Sequence, residues 1–214
     1  MRGDGPVLAA RTASSAAGGS LRHSDGVALA ILAVPPKVTN VSGDVTVNEG
    51  ANVTIFCGGS GRPEPVITWR HLSPAAKDDE YEGEYLEIEG ISRDQAGEYQ
   101  CSATNDVASP DTRRVRVTVN FAPTYVDVRN LGMMLGHQGS LRCETAALPA
   151  PNFEWFRNDK RLVSGVRGLL ITVSGRRSVL TFPNVTEELY GNYTCLVFNS
   201  LGGANSSLLL NRTS

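Results

Sequence analysis

The chain has 214 residues, 41% of them hydrophobic and 20% charged, and a formal net charge of −2. That length suits one large domain or two small ones with buried cores, and the composition excludes a disordered, charge-swollen chain. The near-neutral balance excludes the basic footprint of a nucleic-acid binder, and the longest apolar run, Val27 to Val34, has eight residues against the roughly 20 that a membrane-spanning helix needs.

Residues 1–34, rich in Ala, Gly, Ser and Arg, read as a disordered or atypical leader. Arg2, Arg11 and Arg22 ahead of the apolar run imitate a signal peptide, but Asp25 abuts that run. Arg2-Gly3-Asp4 forms an integrin-type tripeptide of a kind that recurs by accident. From Asn52 the pattern turns to strands: Val53, Ile55 and Cys57 alternate with Asn52, Thr54 and Phe56. Trp69 follows Cys57 by 12 positions, and Tyr99 stands two before Cys101. Val115, Val117 and Val119 then alternate with Arg114, Arg116 and Thr118, which places the latter set outside and leaves no broad apolar stripe. A short junction, Asn120 to Pro123, opens a second unit.

That unit repeats the first. Trp155 follows Cys143 by 12, Tyr193 stands two before Cys195, and Pro149 and Pro151 precede Trp155 as Pro63 and Pro65 precede Trp69. Leu86 and Leu180 each stand 15 before the following cysteine, Ile91 and Val185 stand 10 before it, and Asn105 and Asn199 come 4 after it. Four cysteines allow three pairings, and spacing alone does not choose among them. The repeat favours Cys57 with Cys101 and Cys143 with Cys195, which keeps each bridge inside its own unit. A zinc site is disfavoured because close ligand pairs and histidine partners are missing, His23, His71 and His137 being scattered.

Cys, Trp and Tyr-x-Cys in this order mark an immunoglobulin-type β-sandwich, with the Trp packed on a disulfide that joins the two sheets and the Tyr hydroxyl closing the corner before the second Cys. The expected fold is all-β, two tandem immunoglobulin-like sandwiches of the I-set or C2 type over 35–120 and 121–212, each of seven or eight strands. Cysteine gaps of 44 and 52 leave no room for the two added strands of a variable-type domain.

Six Asn-x-Ser/Thr sequons, at Asn40, Asn52, Asn184, Asn192, Asn205 and Asn211, stand where chance gives about two. With the disulfides they indicate an oxidising, extracellular compartment. Asn192 is wedged between Gly191 and Tyr193 at the corner, which argues against its use. Other clusters read as solvated strand faces: the acidic Asp78, Asp79, Glu80, Glu82, Glu84, Glu87 and Glu89, which could otherwise hold calcium, and the basic Arg113, Arg114 and Arg116, which could otherwise meet polyanionic glycans. Neither a nucleophile beside a base nor paired carboxylates in a cleft is recognisable, so no enzyme, catalytic residue, cofactor or metal is expected. The halves differ in charge, with 8 Lys/Arg and 14 Asp/Glu over Pro35 to Val119 but 9 and 6 over Asn120 to Ser214.

The strings Val34-Pro-Pro-Lys-Val38, Val47-Asn-Glu-Gly50, Gly61-Arg-Pro-Glu-Pro65, Thr68-Trp-Arg-His-Leu72, Asp94-Gln-Ala-Gly-Glu-Tyr99, Val119-Asn-Phe-Ala-Pro123 and Tyr190-Gly-Asn-Tyr-Thr-Cys195 resemble the IgLON family of neuronal cell-adhesion molecules. The resemblance implies three immunoglobulin domains and a glycolipid (GPI) anchor in the family, this chain matching the second and third domains. It implies a cell-membrane glycoprotein that regulates adhesion, neurite outgrowth and synapse formation. Its partners would be cell-surface immunoglobulin-family proteins, bound homophilically or heterophilically through the first domain, with these two domains as glycosylated stalk. The competing expectation is a ligand-binding ectodomain fragment of an immunoglobulin-type receptor. One departure concerns the corner: the family-type Asp two before the corner Gly is Gln95 in one unit and Leu189 in the other, so a buried Arg–Asp bridge is not expected there.

Overall fold

The computed structural model describes residues 32–74 and 80–211; the leader residues 1–31, with the Arg2-Gly3-Asp4 tripeptide, and Asp78 and Asp79 lie outside them. Strands form where branched and aromatic residues alternate with polar ones and stop at Gly, Pro and Asn clusters. The first sandwich contains β1 (Val34–Val41), β2 (Val45–Asn48), β3 (Val53–Arg62), β4 (Val66–His71), β5 (Glu80–Glu82), β6 (Tyr85–Ile88), β7 (Gly97–Asn105) and β8 (Ala108–Asn120). One sheet has the order β1-β3-β6 and the other β2-β8-β7-β4-β5. Pairing is antiparallel except for β2, which crosses to the second sheet and runs parallel to β8 from Val45↔Val117 to Asn48↔Asn120. The crossing is fixed by side chains of polar residues that β2 itself does not bury: Ser42 Oγ accepts the Phe56 N–H at 2.8 Å and Asp44 Oδ1 accepts the Arg116 N–H at 2.9 Å.

The second sandwich contains β9 (Val126–Asn130), β10 (Gly139–Thr145), β11 (Asn152–Arg157), β12 (Lys160–Arg161), β13 (Leu170–Ser174), β14 (Arg177–Phe182), β15 (Gly191–Asn199) and β16 (Gly202–Leu210). Its sheets are β13-β14-β10-β9 and β12-β11-β15-β16. The described residues thus give eight strands to each sandwich, within the expected range, and the fold is all-β and immunoglobulin-like.

Each sandwich has its own core. Val53, Ile55, Trp69, Leu86, Ile91, Val115, Val117 and Val119 fill the first around its cysteines. Leu141, Trp155, Leu180, Phe182, Val185, Tyr193 and Val197 fill the second. At about 25 cal/mol per Å² of apolar area removed from water, this burial is the main term that holds the sheets together. Between the cores, Phe121 pairs its backbone with Leu148 through two hydrogen bonds of 2.7 and 3.1 Å. The Arg93 guanidinium lies 4.0 Å from the Phe121 ring centroid, a cation–π contact at the junction.

Candidate functional site

The residues that the repeat singles out meet in space. Disulfides join Cys57 to Cys101 and Cys143 to Cys195, each with a Cα–Cα distance of 6.4 Å. Trp69 lies opposite Cys101 on β4 and β7, and Trp155 opposite Cys195 on β11 and β15, so each indole stands beside its own bridge. A buried indole N–H needs an acceptor. Trp69 Nε1 donates to the Glu84 carbonyl at 3.4 Å, whereas Trp155 Nε1 donates to the buried Ser178 hydroxyl at 3.0 Å.

Both corners close alike. A 3-10 turn, Arg93–Gln95 or Glu187–Leu189, leads into a glycine with positive φ, Gly97 at 132° or Gly191 at 142°, a conformation that side chains rarely adopt. Tyr99 then donates its hydroxyl to the Gln95 carbonyl at 2.7 Å, and Tyr193 donates to that of Leu189 at 2.6 Å. Gln95 and Leu189, where the family pattern has Asp, therefore serve through their backbone. Burial pushes both phenols up to about 12. In the first sandwich the nearby ion pair is Arg93 with Glu49, at 2.6 Å and half exposed rather than buried. Hydrogen bonds from Arg93 hold the Glu49 carboxyl down at about 2.

Asn105 and Asn199, whose repetition was visible but whose role was not, form a second matched device. The Asn105 amide donates to the carbonyls of Val34 and Pro63 at 3.0 and 2.9 Å while its Oδ1 accepts the Val107 N–H at 3.1 Å. Asn199 donates to Phe121 and Pro149 at 3.0 and 3.2 Å and accepts from Leu201 at 2.9 Å. One side chain in each sandwich thus ties the final hairpin, the loop after the first core strand and the entering chain.

On the surface, the basic group Arg113, Arg114 and Arg116 is answered by acids on the same sheet. Arg113 pairs with Asp111 at 2.9 Å, and Arg114 and Arg116 share Glu98 at 3.3 and 2.9 Å. The Glu98 carboxyl is held low chiefly by the Arg116 hydrogen bond, and that of Asp111 chiefly by the backbone N–H of Val38. Glu80, Glu82, Glu84, Glu87 and Glu89 all stand exposed, and no group of three or more metal-ligating side chains occurs among the described residues. A cleft of about 590 Å³ lies in the second sandwich between Arg157, Arg161, Arg167, Leu169 and Phe182.

All six sequon asparagines are exposed, including Asn192, whose neighbours turn the other way: Tyr193 enters the core and Gly191 has no side chain to crowd it. Asn40 and Asn52 belong to the β1-β3-β6 side of the first sandwich, while Asn192 and Asn205 stand on β15 and β16 of the second. Leu196 and Phe198 on β15 and Leu209 on β16 project from the outer face of one sheet, since their neighbours Cys195, Val197 and Leu210 are buried.

Immunoglobulin-domain family models match residues 35–105 and 130–208. The geometry and these matches define a protein of the immunoglobulin superfamily with two tandem sandwiches. Among solved structures, the complex of Dpr2 Ig1-Ig2 with DIP-Theta Ig1-Ig3 contains a chain that is 32% identical, with a TM-score of 0.67, over 83% of this chain and 65% of that one. A titin tandem of 21% identity and TM-score 0.57, covering 86% of this chain and all of that one, shares the fold. Neuronal growth regulator 1 of Gallus gallus is 56% identical over 178 residues, 83% of this chain and 50% of the relative. Limbic system-associated membrane protein is 54% identical over 182 residues in Gallus gallus and in Rattus norvegicus, 85% of this chain and 54% of the relative. Both relatives are IgLON proteins, and the chain spans about half the length of the curated relatives it matches.

Proposed function

We propose that this chain supplies the glycosylated stalk of a neuronal cell-surface adhesion molecule that regulates adhesion, neurite outgrowth and synapse formation. The observation that carries this reading is the 56% identity to neuronal growth regulator 1, which runs through both sandwiches. Partners are cell-surface immunoglobulin proteins, engaged homophilically or heterophilically through a further domain of the family, and a GPI anchor holds the molecule on the extracellular side of the membrane. Support for the partner class comes from the 32% identical structure, itself a complex of two immunoglobulin tandems. The proposed domain limits are 35–120 and 121–212, and the role is non-catalytic, with no cofactor. The six sequons carry N-glycans.

A spacer positions a binder and need not associate strongly with itself. Made in secreted form, residues 35–214 sediment as a monomer at micromolar concentration, and fusion of a family first domain to the N-terminus confers binding to family members on cells. A tight dimer of the two-sandwich fragment would move adhesion into the domains described here and refute the stalk.

A further inference from the structure

The outer face of the β11-β15-β16 sheet has an arrangement that the stalk reading does not use. Antiparallel register places Asn205 directly opposite Leu196, Gly203 opposite Phe198, Ser207 opposite Thr194 and Leu209 opposite Asn192. All eight positions share one face, because the alternate partners Cys195 and Val197 are buried. Directly opposed Cβ atoms lie about 5 Å apart and diagonal ones about 7–8 Å, so Asn205 has Leu196 beside it and Phe198 within reach of an attached group. Gly203 leaves a notch between Asn205 and Phe198, for a Cβ at Gly203 would stand 3.2 Å from the Phe198 Cβ. At the other end Asn192 faces Leu209, which is 62% exposed. Two sequon asparagines therefore share this face with the half-buried Leu196 and Phe198 and the exposed Leu209.

The +2 hydroxyls of the two sequons, Thr194 Oγ1 and Ser207 Oγ, meet each other at 2.7 Å between Leu209 and Leu196. A protein partner laid on this face would have to displace two oligosaccharides rooted in it. We infer that the occupant of the face is the chain's own carbohydrate: the first N-acetylglucosamine on Asn205 seats its apolar side in the Gly203 notch against Phe198 and Leu196, and the one on Asn192 covers Leu209. Sugar C–H groups and the acetyl methyl bury apolar area that would otherwise stay wet or recruit a second chain. The inference rests on the glycosylation proposed above. It assigns this sheet face to shielding, and it contrasts with the β2-β8-β7-β4-β5 sheet of the first sandwich, on whose strands no sequon lies.

The test uses the full chain secreted from mammalian cells. Glycopeptide mass spectrometry first reads occupancy at Asn192 and Asn205; a bare Asn205 overturns both the glycosylation and the packing. The glycans are then trimmed to a single N-acetylglucosamine by an endoglycosidase, and the thermal midpoint of the second sandwich is followed in wild type, Asn205→Gln, Phe198→Ser and the double variant. The trimmed wild type keeps the midpoint of the untrimmed protein. Asn205→Gln lowers it by about 4 °C in the wild-type background and by much less once Phe198 is gone, a coupling that only contact between sugar and ring produces. Equal shifts in both backgrounds overturn the packing while leaving the glycosylation standing. Leu196→Ser provides a second background should Phe198→Ser not fold. Asn→Gln is chosen over replacement of Thr194 or Ser207 because the latter breaks the 2.7 Å hydroxyl pair.

Discussion

The two sandwiches solve the same packing problem with different strands. The second cysteine pair encloses a segment eight residues longer than the first, and the extra length forms β13, which pairs with β14 and becomes the sheet edge. In the first sandwich only Gly83 and Glu84 separate β5 from β6, so β6 is itself the edge of the β1-β3-β6 sheet. The first sandwich instead gains β2 alongside β8. The second keeps β9 on β10, and the chain beyond it turns the buried Met133 into the core. Comparison at matched positions is sharper still. At the end of the strand that carries the Trp, His71 Nε2 contacts the Ala96 carbonyl at 3.1 Å, and Arg157 at the matching place donates to the Tyr190 carbonyl at 3.3 Å. Different side chains serve one backbone acceptor, so the repeat preserves the hydrogen bond rather than the residue.

The largest test of this two-core picture is removal of the bridges. Closing loops of 44 and 52 residues is worth about 4 kcal/mol each in the chain-entropy model. In differential scanning calorimetry the Cys57→Ala/Cys101→Ala protein loses the first transition and retains the second, and the Cys143→Ala/Cys195→Ala protein does the reverse. Loss of both transitions from either pair would show the cores to be interdependent.

A second experiment separates the two indole acceptors. Ser178→Ala leaves the Trp155 N–H buried without a partner and costs the second sandwich about 1–3 kcal/mol. At the matching position Glu84→Ala changes the first sandwich by less than about 0.5 kcal/mol, because the acceptor there is a backbone carbonyl that the substitution keeps. Equal losses in chemical denaturation would contradict that difference.

The corners, by contrast, respond equally. Tyr99→Phe and Tyr193→Phe each remove one hydroxyl bond, about 1 kcal/mol. Both phenols titrate near 12 in the fold against about 10 when unfolded. Their stabilisation is complete below pH 10, declines as pH rises toward 12, and vanishes in the Phe variants; ultraviolet phenolate titration reads the folded values directly.

The smallest effect belongs to one sandwich alone. Glu49 falls from 4.5 to about 2 through Arg93, so its contribution is present above pH 4.5 and is lost as pH falls toward 2. Solvent exposure limits it to less than about 1 kcal/mol. Glu49→Gln flattens the acid limb of the first transition in a pH series and leaves the second unchanged, since Leu135 and Glu187 stand at the matching positions.

Much of this fold is legible in the sequence. Cysteine, tryptophan and tyrosine offsets carry the sandwich because each marks a contact between two side chains or a corner of fixed length. Asn105 and Asn199 were visible only as a repetition, since their partners are carbonyls 42–78 residues away, and every residue has a carbonyl. The outward positions of β15 are hidden in the sequence for a different reason. From Tyr193 to Phe198 every residue except Thr194 is apolar, so the alternation that separates core from surface on β8 has no contrast there. Similarly, the basic group on β8 finds Glu98 only across strands, at 16 and 18 residues' separation.

The asparagine clamp also sets a chemical clock. Hydrolysis of the Asn105 or Asn199 amide to a carboxylate would exchange two N–H donors for lone pairs aimed at two carbonyls, turning attraction into repulsion at one stroke. Slow deamidation accumulates over a protein's lifetime. The same three hydrogen bonds that make these amides indispensable also hold each side chain away from the backbone nitrogen that follows it, at Asp106 and Ser200. Ageing of each sandwich is thereby tied to the tightness of a single turn.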